Sequence, residues 1–206
     1  MITRRRAVSL LGLAPLAAAP ALAQSPGAVD PAHDMILGDA NAPVTMIEYS
    51  SLTCPHCAHF HNETLPELKE RYIDKGQVRL VYRDFPFDRA ALFAAVLAHC
   101  AGRDGSERFF RFVTVLFRAQ GTWGRAKDPV AALKRIGRIG GLDGGAIEAC
   151  FNDKALVDSI IRSRMEGAKI FGVNSTPTFI INGEKVVGAQ PVANFKRVLD
   201  RLLSKS

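Results

Sequence analysis

Val44-Thr45-Met46-Ile47-Glu48-Tyr49-Ser50-Ser51-Leu52-Thr53-Cys54-Pro55-His56-Cys57 is the stretch on which the fold turns. Its first six residues are β-branched, apolar or aromatic apart from one acid, and Pro43 and Ser50-Ser51 bound them, which predicts a strand over 44–49. From Pro55 to about Tyr72 the pattern changes: Phe60, Leu65, Leu68 and Tyr72 recur at helical spacing. Pro66 predicts a kink in this helix and Gly76 lies past its end. Val78 to Phe85 then alternates as a second strand, so the first half reads β-α-β.

The two cysteines sit where that helix begins. Pro55 suits the first helical position, which makes Cys54 the N-cap, His56 the second residue and Cys57 the third. An N-cap side chain accepts hydrogen bonds from first-turn N–H groups, and a sulfur accepts far better as a thiolate. The helix dipole adds partial positive charge at the same spot, and a protonated His56 would add more. Each effect lowers the pKa of Cys54 and makes it the better nucleophile. Cys57 lies three residues on, on the same face, close enough to bridge to Cys54 and to act as its resolving partner. A purely structural bridge and half of a zinc site are the alternatives. The second is weak: His59 and His61 are near, but two cysteines closing on each other make a poor tetrahedral cage. No metal and no organic cofactor are expected.

Val44, Met46 and Glu48 share one strand face, so an acid lies in a row that otherwise reads as buried. A carboxyl there can relay the proton of a buried Cys57. The alternative is a solvated Glu at a sheet edge.

Beyond Phe85 the β signal fades. Arg89–Ala101, Ser106–Arg118, Asp128–Ile139, Asp143–Phe151 and Lys154–Phe171 read as helices, with Asp128-Pro129 and Asp143 as N-terminal signals. Phe109, Phe110, Phe112 and Phe117 fall on one of them and are read as core, with an apolar groove for unfolded clients as the alternative for some of them. Thr178–Ile181 is a short strand, Asn182-Gly183 a hairpin turn, Val186-Val187 the start of the return strand and Val192–Leu203 an amphipathic helix. The order is β-α-β, a helical block, then β-β-α. This predicts one small mixed sheet covered by helices, with no internal repeat. At 206 residues the chain has room for one domain, or one with an insertion, and is long enough to bury about 70% of its unfolded surface without staples.

The N-terminus reads as an export leader. Arg4-Arg5-Arg6 precede an uncharged run from Ala7 to Ala23 rich in leucine, and Ala21-Leu22-Ala23 fits a cleavage site after Ala23. Pro15, Pro20 and the short apolar core argue against a membrane anchor. Thr3-Arg4-Arg5 also resembles a twin-arginine signal, although Ala7 stands where an aromatic or leucine is expected. Loss of the three arginines takes the formal net charge from +7 to +4. That is mild basicity without a Lys/Arg run, which does not favour nucleic acid. Residues 24–35 then read as a flexible lead-in. Outside the cytosol an even count of four cysteines suggests two pairs.

Cys54-Pro55-His56-Cys57, with Glu48 six residues before it and Gly172-Val173-Asn174-Ser175-Thr176-Pro177-Thr178-Phe179 far downstream, resembles the DsbA family of thiol:disulfide oxidoreductases. The likeness runs over nearly all of Met35–Leu203. It implies a thioredoxin fold with a helical domain inserted between the second and third core strands. Residues 36–87 and 173–206 would form the thioredoxin-like domain and 88–172 the insertion. It implies a cis peptide at Thr176-Pro177 in a loop facing the active disulfide and taking an extended substrate strand; the bare alternative is a proline opening an edge strand. It agrees with a proton-relay role for Glu48. It further implies a periplasmic site, reduced or unfolded extracytoplasmic proteins as clients, and a DsbB-type membrane partner for reoxidation.

Cys100 and Cys150, both in the helical block, are expected to form a structural disulfide, with buried free thiols or a redox role as the alternatives. His99 is read as a packing residue. The expected function is a dithiol oxidase that donates the Cys54–Cys57 disulfide. An isomerase or reductase of the same fold, or a non-catalytic peptide-binding holdase, stand beside it. The 12 residues from Gln24 to Met35 are short for the dimerising segment of isomerases, which points to a monomer.

Overall fold

The computed structural model describes Val29 and residues 34–205; the leader, its cleavage site and most of the lead-in lie outside the described residues. Two parallel strands, Val44–Ser50 (β2) and Val78–Asp84 (β3), form the centre of a sheet, in register from Val44 opposite Val78 to Ser50 opposite Asp84. A parallel pair needs a crossover, and the helical stretch 55–73 supplies it. Thr178–Ile181 (β4) lies antiparallel on the other side of β2, and Glu184–Val187 (β5) pairs antiparallel with β4. Asn182 and Gly183 join them with φ of 45° and 90°, the doubly positive turn that matches strand twist. Asn182 also accepts the N–H of Thr45 at 2.8 Å and so pins the turn to β2.

Met35–Leu37 (β1) pairs antiparallel with the outer side of β3, which gives the order β1-β3-β2-β4-β5. The sequence reading places Met35 in the lead-in and finds no strand here. Three residues carry no readable period, and their partner lies more than 40 positions on; only pairing with β3 makes them a strand.

The crossover helix bears the signature of Pro66. Its α-helical parts, Pro55–His59 (α1) and Leu65–Leu68 (α2), are each followed by a π-helical turn, Phe60–Thr64 and Lys69–Ile73. Pro66 has no N–H and its ring crowds the carbonyl four residues back. The chain widens just before it: the N–H of Leu65 reaches the carbonyl of Phe60, five residues away.

The helical block follows the predicted spans: Arg89–Ala101 (α3), Ser106–Arg118 (α4), Pro129–Ile139 (α6), Gly144–Phe151 (α7) and Lys154–Phe171 (α8). A short turn of helix, Gln120–Trp123 (α5), is added, and Val192–Leu203 (α9) closes the chain. Asp128 and Asp143 cap their helices as expected, and Asp88 and Asp153 do the same for α3 and α8. The fold is a thioredoxin fold with the helical segment inserted between β3 and β4, the second and third strands of the sequence reading.

One sheet face, with Val44, Met46, Leu80 and Tyr82, joins a core that includes Phe60, Phe109, Phe110, Phe112 and Phe117. The other face, with Ile47, Tyr49, Val81 and Phe85, meets Val173, Ile180 and the end of α8. Gly167 lets α8 approach: a Cβ there would stand 2.5 Å from the Tyr49 ring. Within the block a disulfide joins Cys100 of α3 to Cys150 of α7 across 50 positions. Cross-linking a loop of that size removes about 4 kcal/mol of unfolded-state entropy in the chain-entropy model. Replacing both cysteines by alanine is expected to lower the melting temperature by roughly 8–16 °C. Calorimetry of the reduced active-site form checks this, and a loss below about 1 kcal/mol would contradict it.

Candidate active site

Cys54 occupies the N-cap of α1 in extended backbone conformation, φ −79° and ψ 120°, with Pro55 first in the helix and Cys57 third. This is the placement that the spacing predicts. Cys54 is half-buried, Cys57 is fully buried, and both are free thiols. Three contacts hold the loop: the N–H of Cys54 bonds to the Ser51 carbonyl at 3.0 Å, and the Gln120 side chain donates to the carbonyls of Leu52 and Cys54 at 2.8 and 3.0 Å. Gln120 comes from the helical insertion, so that segment clamps the active-site turn. Thr53 is tied to Asp88, the cap of α3, at 2.7 Å.

The loop before β4 faces Cys54. The Thr176–Pro177 peptide is cis, and the Thr176 carbonyl accepts the Cys54 thiol at 3.3 Å. The Thr176 hydroxyl is buried and has no other partner, which leaves it free for a Cys54 thiolate.

The pKa of Cys54 is lowered from its ordinary 9.0 to about 5. The largest cause is the side-chain hydrogen bond with Cys57; partial burial opposes it; Thr176 and the backbone of Cys57 and His56 lower it further. Cys57 is pushed the other way, well above the ordinary thiol range, by burial first, then by its bond to Cys54 and the charge of Glu48. The sequence argument puts the helix start and the His56 imidazole first. The structure puts the neighbouring thiol first, while the Cys54 side chain closes no cap hydrogen bond of ordinary geometry. His56 itself is exposed and acts through its backbone N–H. The half-exposed thiol is thus the readily ionised one, beside a second thiol that is buried and held protonated.

Glu48 is fully buried on β2, on the face that covers Cys57. Its carboxylate takes the Nε2 of His61 at 3.1 and 3.0 Å. His61 is itself buried and stacks on Phe117 with ring centres 4.5 Å apart. The sequence reading places His61 only as a weak zinc candidate. Its spacing was the available signal: positions 54, 57 and 61 fall on one helical face. Among the described residues, no group of three or more His, Cys, Asp and Glu side chains is placed to hold a metal ion. His99, read as packing, lies against Phe109 and also bonds Asp84 at 2.6 Å.

Residues 31–201 match the family model described as Thioredoxin. A protein-disulfide oxidoreductase of Rickettsia typhi is 33% identical over 171 residues, covering 83% of this chain and 62% of that protein. The chain therefore spans about three fifths of the length of the curated relatives it matches. Among solved structures, α-DsbA1 of Wolbachia pipientis is 35% identical with a TM-score of 0.78, covering 84% of this chain and 92% of that one. BdbD of Bacillus subtilis, at 19% identity and a TM-score of 0.76, shares the fold. With its paired cysteines at the start of the crossover helix and its Thr-Pro loop opposite them, the chain belongs to the thioredoxin family and, within it, to the DsbA proteins.

Proposed function

We propose that this protein is an exported dithiol oxidase that gives its Cys54–Cys57 disulfide to folding proteins of the periplasm. The observation that carries the reading is the asymmetric pair: a Cys54 thiol with its pKa lowered to about 5 beside a buried Cys57. Holding the reduced pair's thiolate at low energy stabilises the dithiol relative to the disulfide, so the oxidised pair gives its bond away. A client thiolate attacks the Cys54 sulfur of the disulfide and Cys57 leaves. A second client thiolate then attacks the client sulfur of the mixed disulfide and expels Cys54. The client gains one disulfide, and two electrons and the protons remain on Cys54 and Cys57.

Thr176 and Pro177 receive the client strand, His56 helps to stabilise the thiolate through its backbone N–H, and Glu48 passes the proton of Cys57. Residues 36–87 and 173–206 act as the catalytic domain, with 88–172 as a helical domain against it. A DsbB-type membrane partner reoxidises the pair. The leader is removed after Ala23, and the mature protein works as a monomer.

The test is a redox titration of the mature chain against glutathione, paired with oxidation of a reduced unfolded protein. A potential well above about −270 mV, the thioredoxin value, and loss of client oxidation in Cys54→Ser are expected. A potential at the thioredoxin value would make the protein a reductase. Retention of client binding as the sole activity would make it a holdase.

A further inference from the structure

Client attack on Cys54 expels Cys57 into a setting closed to solvent. A thiol whose ionisation is so disfavoured there is a poor leaving group unless a proton reaches it as the bond breaks. Glu48 and its partner His61 lie nearby, but both side chains are almost wholly shut from solvent, at 0% and 2% exposure. A proton taken from that pair has to be replaced through the protein.

A second set of polar groups occupies the same sheet face. Ser50 stands directly opposite Asp84 across the β2–β3 pairing, and Tyr82 opposite Glu48, so all four share one face. Ser50 and Tyr82 are 1% and 2% exposed, and neither hydroxyl closes a hydrogen bond of ordinary geometry. Leaving two such groups unpaired costs about 1–3 kcal/mol each. Ser50 and Tyr82 are diagonal neighbours across this pairing, on the sheet face whose core cluster holds Cys57, and Ser50 lowers the pKa of both Cys57 and Tyr82. Asp84 is the charge felt most strongly by the Tyr82 hydroxyl. Asp84 in turn holds His99 at 2.6 Å, and the His99 side chain is 16% exposed, the outermost member of the row.

We propose that Ser50, Tyr82, Asp84 and His99 form a proton path that connects Cys57 with solvent. It rests on the exchange chemistry above and names the groups that serve it from behind. As the Cys54–Cys57 bond breaks, the electron pair stays on the Cys57 sulfur. The Ser50 hydroxyl gives it a proton and takes one from Tyr82; Tyr82 is refilled from the Asp84–His99 pair, and His99 takes a proton from water. A hydroxyl both donates and accepts, so each link returns to its starting state. Glu48, which passes the Cys57 proton in the reading above, and its partner His61 face the same cluster from β2 and the crossover helix; the path is a second route to the same sulfur, open to solvent where that buried pair is not.

The experiment mixes the oxidised chain with dithiothreitol, stops the reaction by alkylation and counts free thiols by mass, in H2O and D2O. Tyr82→Phe keeps the ring packed on Phe109 and Phe110 while removing the hydroxyl. It is expected to slow reduction about tenfold or more and to bring the solvent isotope effect down toward unity. His99→Gln, at the far end and partly exposed, is expected to do the same in the same direction. If Tyr82→Phe fails to fold, Ser50→Ala gives the same reading. Unchanged rate and isotope effect in these variants, with a large loss in Glu48→Gln, would overturn the path and leave Glu48 as the only proton source. A natural chain that does not exchange with dithiothreitol at all would instead refute the exchange reading itself.

Discussion

Alkylation of Cys54 in the reduced protein is expected to reach half its maximal rate near pH 5, and Cys57→Ala is expected to move that midpoint up more than any other single change around the site. The first part follows from a thiol pKa lowered to about 5. The second follows from the order of its causes, because the Cys57 side chain stands first, ahead of Thr176 and the backbone of His56. A hydrogen bond to a charged group contributes about 1.5–3 kcal/mol, so losing it shifts the midpoint by roughly one to two pH units. His56→Ala, which leaves the backbone N–H in place, should move it less. Iodoacetamide rates between pH 3 and 9 decide the matter, and a larger shift in His56→Ala than in Cys57→Ala would sink the ranking.

The same lowered pKa links stability to pH. Cys54 titrates near 5 when folded and near its ordinary 9.0 when unfolded. The unfolded chain therefore binds more protons between these values, and folding stability of the reduced form rises with pH across that window. The contribution is complete above about pH 9 and is lost as pH falls through about 5. Urea midpoints of the reduced natural chain, minus those of Cys54→Ala, should grow with pH over this range. Because the thiol is half exposed, solvent screening reduces the effect.

The largest stability loss is expected at the buried pair. Removing His61 by His61→Leu leaves the Glu48 carboxylate at 0% exposure without the group that holds both its oxygens. Orphaning a buried charge in this way costs about 3–5 kcal/mol. The double variant Glu48→Leu/His61→Leu removes the uncompensated charge too, and should be more stable than the sum of the single changes predicts by about 1 kcal/mol or more. Denaturant unfolding of the four proteins forms the cycle. Strict additivity would mean that the two side chains do not act as a pair.

The helices and central strands were legible because their signals are local. A 3.6-residue recurrence over α3, α4 and α8, an Asp before each of α6 and α7, and Asn182-Gly183 between two β-rich runs each need only a short window of sequence. The reactive end was legible for the same reason: Pro55 sets the helix start, and three residues then bring Cys57 onto the face of Cys54. What the amino-acid order alone determined was therefore most of the elements and the placing of Cys54 and Cys57 at the start of the crossover helix.

The rest depended on distance in space between residues far apart in the chain. β1 exists only because β3 offers it an edge, and His61 pairs with Glu48 only because a widened helix carries it over β2. Gln120 reaches the active-site turn from 66 positions away, and Asp84 meets His99 across the start of the insertion. Even the leading cause of the low Cys54 pKa is a bond between two side chains, whose strength depends on burial and orientation. Periodicity carries neither, so these features were settled by packing.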